Sequence, residues 1–163
     1  MKTKNIFTYG FTLIEVIVVI AIIAILSTVV LSASSSARIK AEDLAIKANL
    51  DSIRTSAEFY YDKYGNYGTT ISSYSCSIGT PDPLFTYTPI STAILEAERV
   101  SNNSGLCILA DSSGLNARAN SWAVSVPLKS DPQKSWCVDS SGFSNVANAS
   151  YDGPLNKAFC STL

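Results

Sequence analysis

The side chains of this chain that could carry chemistry are few. Four cysteines, Cys76, Cys107, Cys137 and Cys160, all lie in its C-terminal part. Their wide spacing contains no C-x-x-C pair, so neither a zinc site nor a thioredoxin-type motif is expected. An even number of scattered cysteines suits two disulfides in an oxidising compartment. Spacing alone leaves all three connectivities open. There is no histidine, which removes the commonest general base and the commonest metal ligand. No nucleophile motif and no phosphate-binding glycine loop stands in for it. The chain is therefore not read as an enzyme, and no cofactor is expected.

Oxygen ligands offer one alternative. The stretch "DSSGLNARANSW" (111–122) echoes "DSSGFSNVANASY" (139–151). Asp-x-x-Gly after a strand makes a good turn. The sharper reading is a calcium loop with Asp111, Asp139 or Asp152 as ligands. The D-x-D-x-D pattern is missing, so turns are the favoured reading and the three aspartates remain weak calcium candidates.

The other carboxylate with chemical interest is Glu15. It stands near the head of residues 11–31, an apolar run interrupted only by Thr12, Glu15, Ser27 and Thr28. No charged residue follows between Val16 and Ala37. At 1.5 Å per residue the run spans about 30 Å, enough to cross a bilayer. It is too long for an ordinary secretory signal, although "SASSSA" (32–37) offers small residues for a conventional cleavage. Lys2 and Lys4 precede it and would hold the N-terminus in the cytoplasm. A carboxylate within such a span is costly and calls for a reason. Nearness to the positive end of the helix dipole lowers that cost, and a Glu capping its own helix is one reading.

The residues Gly10 to Val16, "GFTLIEV", behind a short basic leader and ahead of the apolar run, resemble the prepilin signature. Type IV pilins share it with the pseudopilins of type II secretion and DNA-uptake machines. The likeness covers residues 1 to about 35. It implies that a membrane aspartyl peptidase cuts between Gly10 and Phe11 and methylates Phe11 as the new first residue. It implies that Glu15 meets the positively charged amine of Phe11 on a neighbouring subunit. Pairing of this kind would serve register more than raw affinity, since desolvation offsets much of the attraction. Loss of residues 1–10 removes Lys2 and Lys4 and moves the formal charge from −1 to −3. One departure stands out. Many members carry a proline about two-thirds along the run; Ser32 is at that position here, and no proline occurs in residues 11–80. The four serines Ser32, Ser34, Ser35 and Ser36 are poorer helix formers and would weaken the helix there.

Beyond the serines, Ile39, Ile46, Leu50, Ile53, Ala57, Tyr60 and Tyr64 recur at spacings of three, four and seven, the stripe of an amphipathic helix. Gly65 is placed to stop it. Residues 11–64 would then form one helix of about 80 Å. The aromatic "FYYDKYGNYG" (59–68) is read as packing of the helix end on a head domain. With only Lys63 near, it makes a poor nucleic-acid face. Residues 66–89 read as a loop holding Cys76, and 90–105 as a short helix closed by "NNSG". Strands are expected at 106–110, 121–128 and 135–139, with the clearest alternation at Trp122, Val124, Val126 and Leu128. Pro127 would end its strand or mark an edge. The expected fold class is α+β and pilin-like: a long helix laid on an antiparallel sheet of three or four strands. The domain reading is a leader at 1–10, an anchor half-helix at 11–37, an amphipathic half at 38–65 and a head at 66–163. The favoured cysteine pairing is Cys76–Cys107 with Cys137–Cys160; pilins are familiar for a C-terminal disulfide-closed loop. Asn102-Asn103-Ser104 and Asn148-Ala149-Ser150 are glycosylation sequons that chance explains easily.

These features favour a structural subunit of a type IV pilus-like filament. Its partners would be like or unlike pilin subunits, the prepilin peptidase and, before assembly, the membrane. It would begin as a single-pass precursor in the cytoplasmic membrane and end in an extracellular or periplasmic filament. A pseudopilin of a secretion or DNA-uptake machine is the alternative. A single-span surface binding module that does not polymerise is the rival of a different class. No basic stripe points to nucleic acid.

Overall fold

The computed structural model describes residues 10–68, 72–76, 82–111, 118–152 and 157–161. Within these, side chains are described at all positions except 29, 31–33, 72–74 and 151–152. The expected leader, apart from Gly10, lies outside the described residues. The chain divides into two compact units, Met1–Arg38 and Ile39–Leu163. One helix, α1 (Leu13–Tyr64), contributes to both.

No proline or glycine interrupts residues 11–64, so nothing in the sequence breaks the helical ladder. The helix continues through the serine-rich stretch 32–36. It stops where expected. Gly65 takes φ 72°, its N–H donates to the Tyr61 carbonyl at 2.7 Å, and Asn66 Nδ2 donates to the Tyr64 carbonyl at 3.1 Å. Such a turn satisfies end carbonyls that have no partner within the helix.

In the second unit α1 buries Ile46, Leu50, Ile53, Ala57 and Tyr60. The predicted stripe is shorter than expected, because Ile39 (39%) and Tyr64 (49%) remain exposed. Tyr64 instead stacks on Tyr60 at 4.5 Å. Asp43 is buried beside the stripe, where its Oδ1 accepts the backbone N–H groups of Lys129 (2.7 Å) and Ser130 (3.1 Å). Asp51 accepts from Ser144 Oγ and Trp136 Nε1, Lys47 lies over the Trp136 ring at 4.6 Å, and Arg54 donates to the Phe143 carbonyl. Polar clamps thus flank the apolar contact.

The sheet has five strands, more than the three or four expected. They are β1 (Ser72–Ser75), β2 (Leu106–Ala110), β3 (Ser121–Pro127), β4 (Ser135–Asp139) and β5 (Ser144–Val146). All pair antiparallel in chain order. Pro127 ends β3, which is the central strand and not an edge. The expected loop at 66–89 contains β1 and a short helix, α2 (Pro83–Thr86). The expected helix at 90–105 is α3 (Thr88–Ser101), which ends at Asn102 in the left-handed conformation.

Strand β3 is buried on both faces. Trp122, Val124 and Val126 point into the core built on α1, α2 and α3. Ala123 points to a second layer, a hairpin of β6 (Asn148–Asp152) and β7 (Lys157–Ser161). Small residues predominate in this layer, Ala110, Ala123, Ala147, Ala149 and Ala158, with Ile108 among them. The close approach lets sheet side chains take up the hairpin's outward N–H groups. Ala149 N donates to Ser125 Oγ, Ala158 N to Ser121 Oγ, and Cys160 N to Asp139 Oδ2. A two-stranded ribbon otherwise leaves these edge groups unpaired.

Both disulfides serve this layout. Cys76–Cys107 anchors the segment after β1 to β2. Cys137–Cys160 joins β4 to β7 across a separation of 23 residues, a closure that stabilises by about 3 kcal/mol in the chain-entropy account. Between α3 and β2, Gly105 N donates to the buried Glu98 at 2.6 Å, and Gly105 O accepts from Cys76 N. A Cβ at Gly105 would lie 2.8 Å from the Ser125 carbonyl oxygen and from Val126 Cγ2, so only glycine fits.

Two predictions follow from the buried carboxylates. Asp139 is 2% exposed. Its Oδ1 accepts from Ser141 N, Ser141 Oγ and Phe143 N, and its Oδ2 from Cys160 N. Asp139→Ala strips Phe143 N and Cys160 N of their acceptor, and each orphaned donor costs about 1–3 kcal/mol. Urea unfolding of the oxidised protein should show a loss of at least that size. Glu98 behaves differently: burial pushes its carboxyl above the ordinary value, partly opposed by the Gly105 N–H. A raised folded value means that the folded state binds the extra proton. Stability from this group is therefore complete below the ordinary carboxylate value and is lost as pH rises through the raised one. Melting temperatures measured across that window should fall in the parent and flatten in Glu98→Gln.

Candidate assembly site

The N-terminal site begins with the cap of α1. Thr12 and Glu15 stand three residues apart and satisfy each other. Thr12 N donates to Glu15 Oε2 at 2.9 Å, Thr12 Oγ1 donates to the same oxygen at 2.8 Å, and Glu15 N donates to Thr12 Oγ1 at 3.4 Å. Two amides of the first turn thereby gain acceptors, the reciprocal arrangement of a capping box. The carboxylate also lies at the positive end of the helix dipole. The signal is readable in the sequence as Thr-x-x-Glu ahead of an apolar run. The second Glu15 oxygen takes no hydrogen bond among the described residues.

Upstream of the cap, Gly10 and Phe11 are non-helical and exposed, Phe11 by 79%. A Cβ at Gly10 would meet nothing within 4 Å. Downstream, the described apolar side chains of the first unit are exposed. Leu13, Ile14, Ile20, Ile25 and Val30 are all more than half exposed. The two hydroxyls of the run beyond the cap fold back onto the helix, Ser27 Oγ to the Ile23 carbonyl and Thr28 Oγ1 to that of Ile25. This satisfies them without a solvent partner, which suits an apolar surrounding.

No helix, taken over its described residues, is long and apolar enough to cross a membrane. The apolar run of the sequence continues to Leu31.

The other residues singled out from sequence fall elsewhere. Cys76, Cys107, Cys137 and Cys160 are consumed in the two disulfides. Asp139 is saturated by the turn and by β7, and Gly142 completes that turn with φ 95°. Asp111 is buried and engaged. Half of the repeat's first copy, residues 112–117, lies outside the described residues, as does the Asp152 side chain. No group of three potential metal ligands forms among the described residues. The aromatic cluster divides: Tyr60 and Tyr67 are buried, whereas Phe59, Tyr61 and Tyr64 are exposed.

Comparison with known proteins adds one match. Residues 8–31 fit the family model described as the prokaryotic N-terminal methylation motif. No curated protein and no solved structure matches the chain. The capped helix start, the exposed Gly10–Phe11 junction and the apolar run all fall within the matched segment, and with it the chain carries the prepilin signature of the type IV pilin and pseudopilin family.

Proposed function

We propose that the chain is a structural subunit of a type IV pilus-like filament, processed between Gly10 and Phe11 and assembled through its N-terminal helix. One observation carries this reading: a lone carboxylate, Glu15, one turn from Phe11 at the head of the exposed apolar stretch of α1, which holds no other charge before Arg38. Such a surface is unstable in water and must be covered by lipid or by other helices. In the precursor the cover is the membrane, with Lys2 and Lys4 on the cytoplasmic side. In the filament it is the corresponding helix of neighbouring subunits. Removal of the leader creates an ammonium group at Phe11, and Glu15 of an adjacent subunit supplies its counter-charge. Out-of-step docking leaves that carboxylate unpaired among apolar side chains, which is costly. Two disulfides in the head suit an oxidising exterior, and on that ground an exposed pilus is preferred to a pseudopilus.

Mass spectrometry of the mature protein from its native membrane tests the processing step. The expected first residue is methylated Phe11. An intact leader, or a start after Ala33 or Ala37, overturns it. The assembly step is tested with Glu15→Ala. Processed subunit should accumulate in the membrane while filaments counted by electron microscopy are lost or nucleate poorly. Undiminished filaments, or unchanged surface display with no filaments in the parent, would favour the non-polymerising surface module.

A further inference from the structure

Three aromatic side chains of the second unit lead from its core to the surface. Trp122 is fully buried, Tyr67 is 6% exposed and Tyr61 is 40% exposed. The Trp122 and Tyr67 rings meet edge-on with centroids 6.4 Å apart. Tyr67 and Tyr61 are 4.8 Å apart. The three differ in where their protons can go. Trp122 Nε1 is buried with no hydrogen-bond partner among the described residues. Tyr67 Oη donates to Glu58 Oε1 at 3.0 Å, and Glu58 is exposed to water. We propose that Trp122, Tyr67 and Tyr61 form a relay that carries an oxidising equivalent out of the core to a surface phenol, with Glu58 as its proton acceptor.

The chemistry runs in one direction. A one-electron oxidant, such as a peroxide-derived radical, removes an electron from Trp122. The indole radical cation has no acceptor for its N–H proton among the described residues, so it stays protonated and strongly oxidising. Tyr67 returns the electron and restores neutral Trp122. As it does so, its phenolic proton passes to Glu58, leaving a neutral tyrosyl radical. Tyr61 then gives an electron to Tyr67, which recovers its proton from Glu58, while the Tyr61 proton leaves to water. The net result is a radical at Tyr61, one proton in solution, and an unchanged Trp122, Tyr67 and Glu58. An external one-electron reductant of the ascorbate class resets Tyr61. In the resting state burial, and then the Glu58 carboxylate, hold the Tyr67 phenol far above the ordinary tyrosine range, so it keeps the proton that the relay needs. The Trp122 indole is the neighbour that pulls this phenol the other way, yet its N–H falls outside hydrogen-bond geometry.

The relay does not depend on filament assembly. It would spare Trp122, the largest fully buried side chain, in a compartment oxidising enough to hold two disulfides. The chain has two tryptophans, so the test uses the full oxidised chain carrying Trp136→Phe. Ultraviolet flash photoionisation ejects an electron from Trp122; nitrous oxide converts that electron to hydroxyl radical, which excess tert-butanol removes. The indolyl absorption should decay as a tyrosyl signal grows. Tyr67→Phe should slow that decay by about tenfold or more. Glu58→Gln, a change on the exposed side, should also slow it and abolish the solvent deuterium effect. Tyr61→Phe should leave the first transfer unchanged and shield the tyrosyl radical from ascorbate. Near-ultraviolet circular dichroism checks each fold, and Glu58→Gln carries the test if Tyr67→Phe does not fold. Decay at the parent rate in Tyr67→Phe, or in a folded Glu58→Gln, overturns the relay.

Discussion

A carboxylate that is 2% exposed is tolerable only when its lone pairs are taken, and Asp139 meets that condition with four donors from two parts of the chain. One oxygen shapes the turn that sends the chain from β4 into β5. The other holds the backbone of β7 at Cys160, whose sulfur is bonded to Cys137 two residues before Asp139. A hairpin whose core face is mainly alanine and cysteine gains little from apolar burial alone. It is fixed to the sheet by backbone-to-side-chain bonds and one covalent link. Because the hairpin stays in place, β3 is buried on both faces and Trp122 is held in the core on the other side.

The same reasoning separates what could be read in the sequence from what could not. Ile46, Leu50, Ile53 and Ala57 obey helical spacing, and β2, β3 and β4 carry enough apolar side chains to announce strands. The second layer gives no such signal. "NASYD" and "KAFCS" are short and small-residue-rich, and β1 is "SSYS". Their strand character comes from partners distant in sequence, which local periodicity cannot report. Serines 121 and 125 look like the polar face of an exposed strand. They are buried acceptors for another backbone. Asp43 and Glu98 likewise fit the solvated side of a helix, and both are buried against loop amides.

Glu15 shows how one side chain can satisfy a local rule and still point beyond it. Capping explains a hydrogen-bond acceptor three residues after Thr12, and a glutamine could supply one. Capping does not explain a full negative charge at the head of an apolar helix. The helix dipole offsets part of the cost of that charge; a cation would offset the rest, and on the proposed reading the Phe11 ammonium is that cation. The two roles are compatible, because the cap draws on Oε2 alone and leaves the other oxygen available. The box also sets where the helix begins. With α1 starting at Leu13, the Gly10–Phe11 peptide falls outside it as exposed non-helical backbone, the form that the proposed cleavage requires. The pair that starts the helix thus also keeps it from running back over the bond whose cleavage would create the partner Glu15 needs.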